Sequence, residues 1–174
     1  MLMMRGDMPR QILAEELEEL RKRIIENHLA AGQKASGRTM QSLRVEVGDE
    51  SGVLWGRNAF GVLETGRKGG KVPKGFHLII RQWMKDKGIE ADPIPYKTDR
   101  PHKYTPEERG ARTLAFFIAR KIQRQGSRLY RMKGRNDIYS NEIPKTIDRI
   151  SERMLKVIKV MVSSIKLNNH ILIK

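Results

Sequence analysis

The chain has 174 residues, 39% hydrophobic and 32% charged, with a formal net charge of +15 and no cysteine. That length and balance predict one domain with its own core, and argue against both a disordered chain and a membrane protein, since no window approaches the ~20 apolar residues that span a bilayer. Without thiols there are no disulfides, no thiolate catalysis and no cysteine metal sites, as expected of a protein made in a reducing cytoplasm.

The start, Met1-Leu2-Met3-Met4-Arg5-Gly6-Asp7, lacks a long apolar core and a cleavage pattern, so no signal peptide is expected. Residues 9–31 read as an amphipathic helix with Leu13, Leu17, Leu20, Ile24 and Leu29 on one face. Glu15, Glu16, Glu18 and Glu19 precede Arg21, Lys22 and Arg23, an order that suits the helix dipole, and Gly32 supplies the stop. Residues 42–48 and 53–60 read as antiparallel strands. Leu43, Val45 and Val47 alternate with Arg44 and Glu46, and Gly48-Asp49-Glu50-Ser51-Gly52 has turn chemistry.

Residues 66–75 are rich in Gly and Lys/Arg and predict a mobile loop. A helix follows at 76–87, with Phe76, Ile79, Ile80, Trp83 and Met84 as its apolar face and Gly88-Ile89 as a left-handed cap with its apolar contact. Pro93, Pro95 and Pro101 break any helix in 90–104. Thr105-Pro106-Glu107-Glu108 is a capping box with proline at the first helical position. The helix it starts runs to about Gln125, stops at Gly126, and turns Leu114, Ala115, Ile118, Ala119 and Ile122 inward. Residues 126–141 are basic and irregular, with a small hairpin expected around Gly134. The last helix begins near Pro144 and carries Ile147, Ile150, Met154, Val157, Ile158, Met161 and Ile165 as a stripe. The tail from Leu167 to Lys174 turns apolar at its end, which predicts pairing as a strand or docking on a neighbouring subunit.

The expected class is therefore α+β: a small antiparallel hairpin packed against an N-terminal helix and two or three further helices, with long basic loops. Residues 1–174 form a single domain with its core at about 9–126. Residues 127–174 add a basic loop, a long helix and an apolar tail that serve as an inter-subunit arm.

Between Arg67 and Arg135 stand 19 Lys and Arg against 6 Asp and Glu, nearly all of the net charge. Lys and Arg gathered in this way face polyanions, most often nucleic acid, whose condensed counterions they release. Arg67, Lys68, Lys71 and Lys74 occupy one loop, and Arg128, Arg131, Lys133 and Arg135 surround Tyr130 in the other. These eight are the candidate contacts to DNA or to a partner; solvated helix faces and an acidic protein partner are the competing readings. Tyr96, Tyr104, Tyr130 and Tyr139 interleave with basic residues but sit in no RNA-binding motif, and packing with the hydroxyl near the surface is the expectation.

His28, His77, His102 and His170 lack zinc-site spacing, so no metal is assigned, and no cofactor is implied. Gly66-Arg67-Lys68-Gly69-Gly70 lacks the ending of a phosphate-cradle loop. Asp86, Glu90, Asp92 and Asp99 straddle the proline-rich stretch without a nuclease signature, and there is no nucleophile elbow. No enzyme is expected.

Three stretches carry a family resemblance. After the N-terminal helix, Gly37 and then Ser42-Leu43 open the first strand. The second strand leads to Leu63-Glu64-Thr65-Gly66. A later helix, Ala119-Arg120-Lys121-Ile122-Gln123-Arg124-Gln125-Gly126, ends in a glycine among basic residues. This pattern resembles the tail-completion, or minor tail-component, family of long-tailed bacteriophages. The resemblance implies a structural virion protein without enzymatic activity that forms a ring of 6 or 12 copies at the head–tail joint. It would be made in the host cytoplasm and held in the neck between portal-connector and tail proteins, with no membrane partner. Its lumen would meet double-stranded DNA non-specifically, through phosphates. The basic loop after Gly66, the Trp-containing helix and the long last helix depart from the simpler family pattern. The alternative is a free basic nucleic-acid-binding protein of a phage or mobile element.

Overall fold

The computed structural model describes residues 7–49, 51–98 and 100–164. It is mostly helical, 60%, with one two-stranded antiparallel sheet, which fits the α+β class. The first helix, α1 (Asp7–Ala30), buries every fourth residue: Ile12, Glu16, Leu20, Ile24 and His28, with Leu17 beside them. Leu29 was expected on this face and is 44% exposed, because four residues on from Ile24 the inward position falls to His28. Gly32 takes a left-handed φ of 64° and donates to the Leu29 carbonyl at 2.9 Å, which ends the helix.

A single turn, α2 (Arg38–Gln41), leads into β1 (Arg44–Val47) and β2 (Gly52–Trp55). Arg44 pairs with Trp55 and Val47 with Gly52. Leu43, Val45, Val47 and Leu54 pack on α1, and on the other face the Trp55 indole N–H donates to Glu46 at 2.8 Å. Gly52 leaves room for Leu17: a Cβ there would lie 2.5 Å from Leu17 Cδ1 and push that side chain aside. The second strand is shorter than its sequence predicts. Residues 58–61 form a 3-10 turn and α3 (Val62–Thr65) a turn of α-helix. A strand would send Phe60 and Leu63 to opposite faces; the helical turns bring both to the α1–β core, where Phe60 packs on Tyr139 at 5.1 Å.

The second lobe pairs α4 (Phe76–Lys87) with α5 (Pro106–Gln125). Ile80 and Met84 bury against the small side chains of Ala115 and Ala119, with Leu114, Ile118 and Ile122 half-buried around them. The capping box at α5 forms in both directions, Glu108 N to Thr105 Oγ1 at 3.2 Å and Thr105 N to Glu108 Oε2 at 3.4 Å. At the end of α4, Gly88 donates to Lys85 and Ile89 to Met84, the paired bonds of a Schellman cap. Ile79 and Trp83 depart from the expected apolar face. They are 53% and 38% exposed and line an open groove opposite Gln33 and Leu63 instead of packing on α5.

Beyond α5 there is no hairpin around Gly134. A turn of helix, α6 (Arg128–Arg131), is capped by Ser127, and Lys133 and Gly134 close it with φ of 65° and 79°. The Gly134 N–H donates to Leu129, and a Cβ at that glycine would lie 2.8 Å from the Glu64 carbonyl oxygen. The core continues past residue 126: Ile138 is fully buried against α1 and Leu43. The last helix, α7 (Glu142–Ser163), packs along α1. Ile150, Met154, Val157 and Met161 are half-buried as the stripe predicts, whereas Ile147 and Ile158 are 56% and 52% exposed. Ile165, the tail 167–174 and His170 lie outside the described residues, as do Glu50 and Asp99. Among the described residues no helix is long and apolar enough to cross a membrane.

Candidate polyanion-binding face and the joint beneath it

The Glu64 side chain is 2% exposed although it sits on a one-turn helix. Its Oε1 accepts the backbone N–H groups of Ile138, Tyr139 and Ser140 at 2.8, 2.7 and 3.0 Å, and its Oε2 accepts the Ser140 hydroxyl. Burial pushes this carboxyl up, but the Ser140 hydroxyl and the three amides outweigh it and hold the group below its ordinary value. The Glu64 carbonyl accepts from Arg135 N at 2.9 Å, and the Leu63 carbonyl from Gln33 Nε2 at 2.8 Å. A carboxylate anchored by that many donors is a structural bolt. It ties the end of the hairpin lobe to the chain entering α7.

Two glycines complete the joint. A Cβ at Gly66 would collide with the Tyr130 amide nitrogen and lie 2.6 Å from Ser127 Oγ. A Cβ at Gly126 would lie 2.8 Å from the Arg67 carbonyl oxygen and 2.7 Å from Tyr130 Cδ1. Through this gap Ser127 N donates to Arg67 O at 2.8 Å, Arg67 N to Ser127 Oγ at 2.9 Å, and Gly70 N to Gln123 O at 2.7 Å. The resemblance residues Leu63, Glu64, Gly66 and Gly126 therefore meet in one place. Gly37, Ser42 and Leu43 lie elsewhere in the hairpin lobe. Gly37 has φ 80° before α2, the Ser42 hydroxyl accepts from Arg57 N at 3.2 Å, and Leu43 is buried in the core.

These bonds lay the two basic loops side by side. The 66–75 loop, expected to be mobile, is anchored along its first half by the pairs to Ser127 and Gln123. Of the eight predicted contacts, three are engaged internally. Arg67 is half-buried, sits over the Phe76 ring at 5.2 Å and donates to the Lys71 carbonyl at 3.0 Å. Arg135 makes a bidentate pair with Asp137 at 2.5 and 2.6 Å, which raises the guanidinium's affinity for its proton and holds Asp137 below the usual carboxylate range. Arg131 shares one bond with Gln125 at 3.3 Å. Lys68, Lys71, Lys74, Arg128 and Lys133 are exposed and, among the described residues, have no acidic partner. Arg120, beside the 72–77 segment, extends the same face. The arrangement presents unneutralised cations on a backbone-anchored edge and suits contact with a chain of phosphates.

The sequence reading did not anticipate the burial of Glu64 or the part played by Ser127 and Ser140, whose contacts span 60 to 76 residues. Among the described residues no group of His, Asp and Glu side chains is arranged to hold a metal. Compared with known proteins, the chain matches no family model, no curated protein and no solved structure.

Proposed function

We propose that this chain is a structural protein of a phage neck, one protomer of a closed ring of 6 or 12 copies between portal-connector and tail, with the basic edge toward the exiting double-stranded DNA. The observation that carries the assembly reading is an uncovered apolar strip on α7. Ile143, Ile147, Ile158 and Val162 recur at helical spacing and are 42%, 56%, 52% and 60% exposed in the single chain. Exposed apolar residues gathered along one helix of a chain this basic suit a protein interface. Closed cyclic symmetry is the usual way for many copies of one chain to cover such strips. The basic edge, set on a different element, then remains free for phosphate contact without base readout. Four of the resemblance residues, Leu63, Glu64, Gly66 and Gly126, share one joint in the fold.

The test is deletion of the gene from the virus that carries it. The neck reading expects DNA-filled heads and separate tails that fail to join, restored by supplying the chain in trans. Normal joined particles in its absence would remove the reading. A defect confined to gene expression or DNA uptake into heads would put the free nucleic-acid-binding protein in its place.

A further inference from the structure

The proline-rich stretch between α4 and α5 is a folded platform. Ile94 N donates to the Pro106 carbonyl at 2.9 Å, Arg109 Nη1 donates to the Pro95 carbonyl at 3.0 Å, and Gly110 packs so tightly on the Asp92 carbonyl that no Cβ fits. On this platform Tyr96 is sandwiched between two groups. The His102 ring stacks on it at 3.5 Å and 7°, and the Arg109 guanidinium lies 4.6 Å from its centre. Tyr104 carries the Arg112 guanidinium at 4.1 Å and the Lys103 ammonium at 5.5 Å. Among the described residues none of Lys97, Arg100, Lys103, Arg109 and Arg112 forms an ion pair with a carboxylate.

We propose that this platform is a second phosphate-binding surface, and that it engages the backbone of double-stranded DNA. Aromatic faces hold Lys103, Arg109 and Arg112 in place without neutralising them, which lowers the entropy lost on binding an anion and leaves the charge available, and Lys97 and Arg100 stand exposed beside them. Guanidinium forks then match phosphate oxygens in pairs. Base stacking is disfavoured because Tyr96 is already covered on its ring by His102 and Arg109, so a single strand finds no open platform there. The spacing favours a duplex. The 20 residues of α5 span ~30 Å, about nine base pairs, and separate this platform at the helix start from the basic edge at its end. Arg109, Arg112, Arg120 and Arg124 share one helical face between the two. Phe116 interrupts that row and is 49% exposed, so contact falls at the two ends of α5 rather than continuously.

The inference requires no ring and draws on the proposed function only for the identity of the polyanion. The test is salt-dependent binding of the purified full chain to a ~12-base-pair duplex, with the triple variant Lys97→Gln, Arg100→Gln, Lys103→Gln set against Lys68→Gln, Lys71→Gln, Lys74→Gln. Removing the platform lysines and arginine is expected to weaken binding at least about tenfold at low salt. The log–log salt slope should fall by about 0.9 for each cation that meets a phosphate. A duplex of ~6 base pairs, too short to bridge α5, should lose more affinity than the reduced number of sites explains. Arg112→Gln, monitored by thermal melting to confirm folding, should weaken binding in the same direction. An unchanged slope in the platform variant, with the loop variant still impaired, overturns this inference and leaves the loop contact standing. Binding lost only in the platform variant supports the inference and removes the loops from the DNA contact. No binding to duplex, with tight binding to polyglutamate, overturns it in favour of an acidic protein partner.

Discussion

The α1–hairpin–α7 body and the α4–α5 lobe treat charge in opposite ways. In the body, charge is neutralised internally. Glu16, nearly buried, receives Arg149 at 2.9 Å and Arg153 at 3.0 Å, Arg153 also reaches Glu15, and Glu142 holds Lys145. In the lobe, Arg81–Glu108 is the one ion pair among the described residues, and the other cations stand on loops, on aromatic rings or in solvent. A carboxylate in the body is thus part of the fold, whereas a cation in the lobe is available to a partner. Glu64 stands at the boundary and bolts the body to the loops that carry the lobe's cations.

The contrast is broken most severely at Glu64. Glu64→Ala leaves three amides and a hydroxyl without their acceptor and is expected to cost about 3–5 kcal/mol in urea unfolding; Glu64→Gln, which keeps the shape, costs about 2 kcal/mol. Next comes Gly66→Ala, expected to cost about 2–4 kcal/mol because a side chain there has both an unfavourable φ of 70° and no space against Tyr130 and Ser127. Glu16→Gln weakens the clasp on Arg149 and Arg153. Those arginines retain access to water, so the expected loss is smaller, about 1–2 kcal/mol.

Acidification tests the same division. Burial holds the His28 imidazole below its ordinary pKa, so its contribution is complete above the unfolded value near 6.5 and is lost as pH falls from there toward its folded value. Glu64 and Glu16 are also held below their ordinary values. For Glu16 burial acts upward and the two arginines outweigh it. Their contribution is complete above the unfolded carboxylate value of about 4.3 and disappears below it. Stability measured across pH should therefore decline in two stages, and Glu64→Gln should flatten the lower one. The smallest expected effect on folding is that of Lys68→Gln, Lys71→Gln and Lys74→Gln together. Their unfolding midpoint should stay within about 0.5 kcal/mol of the parent, even though duplex binding becomes less salt-dependent.

Much of the architecture is legible where the determining contacts are local. Thr105-Pro106-Glu107-Glu108 specifies a helix start within four residues, and Gly88-Ile89 a helix end within six; both form as their chemistry requires. The hairpin's alternation likewise names its own inward face. Residues 56–60 read as strand but form a loop and a 3-10 turn, because apolar residues there support either a strand or helical turns, and the choice is made by Tyr139 and the core, far along the chain. The motif Leu63-Glu64-Thr65-Gly66 is visible in sequence, but the role of Glu64 rests on donors 74 to 76 residues away, and nothing in its neighbourhood announces them. The basic loops were legible as charge alone. That Arg67 is engaged with Phe76, while Lys68 has no bonded partner among the described residues, emerges only when the loops are seated on Ser127 and Gln123.

The measurement that bears most directly on the proposed function is the copy number of this chain in purified particles of the virus that encodes it, obtained by quantitative mass spectrometry calibrated against the portal protein. A closed ring at the single head–tail vertex requires ~6 or ~12 copies per particle. Absence from the particle, or a copy number that scales with the capsid shell, would contradict the neck assignment.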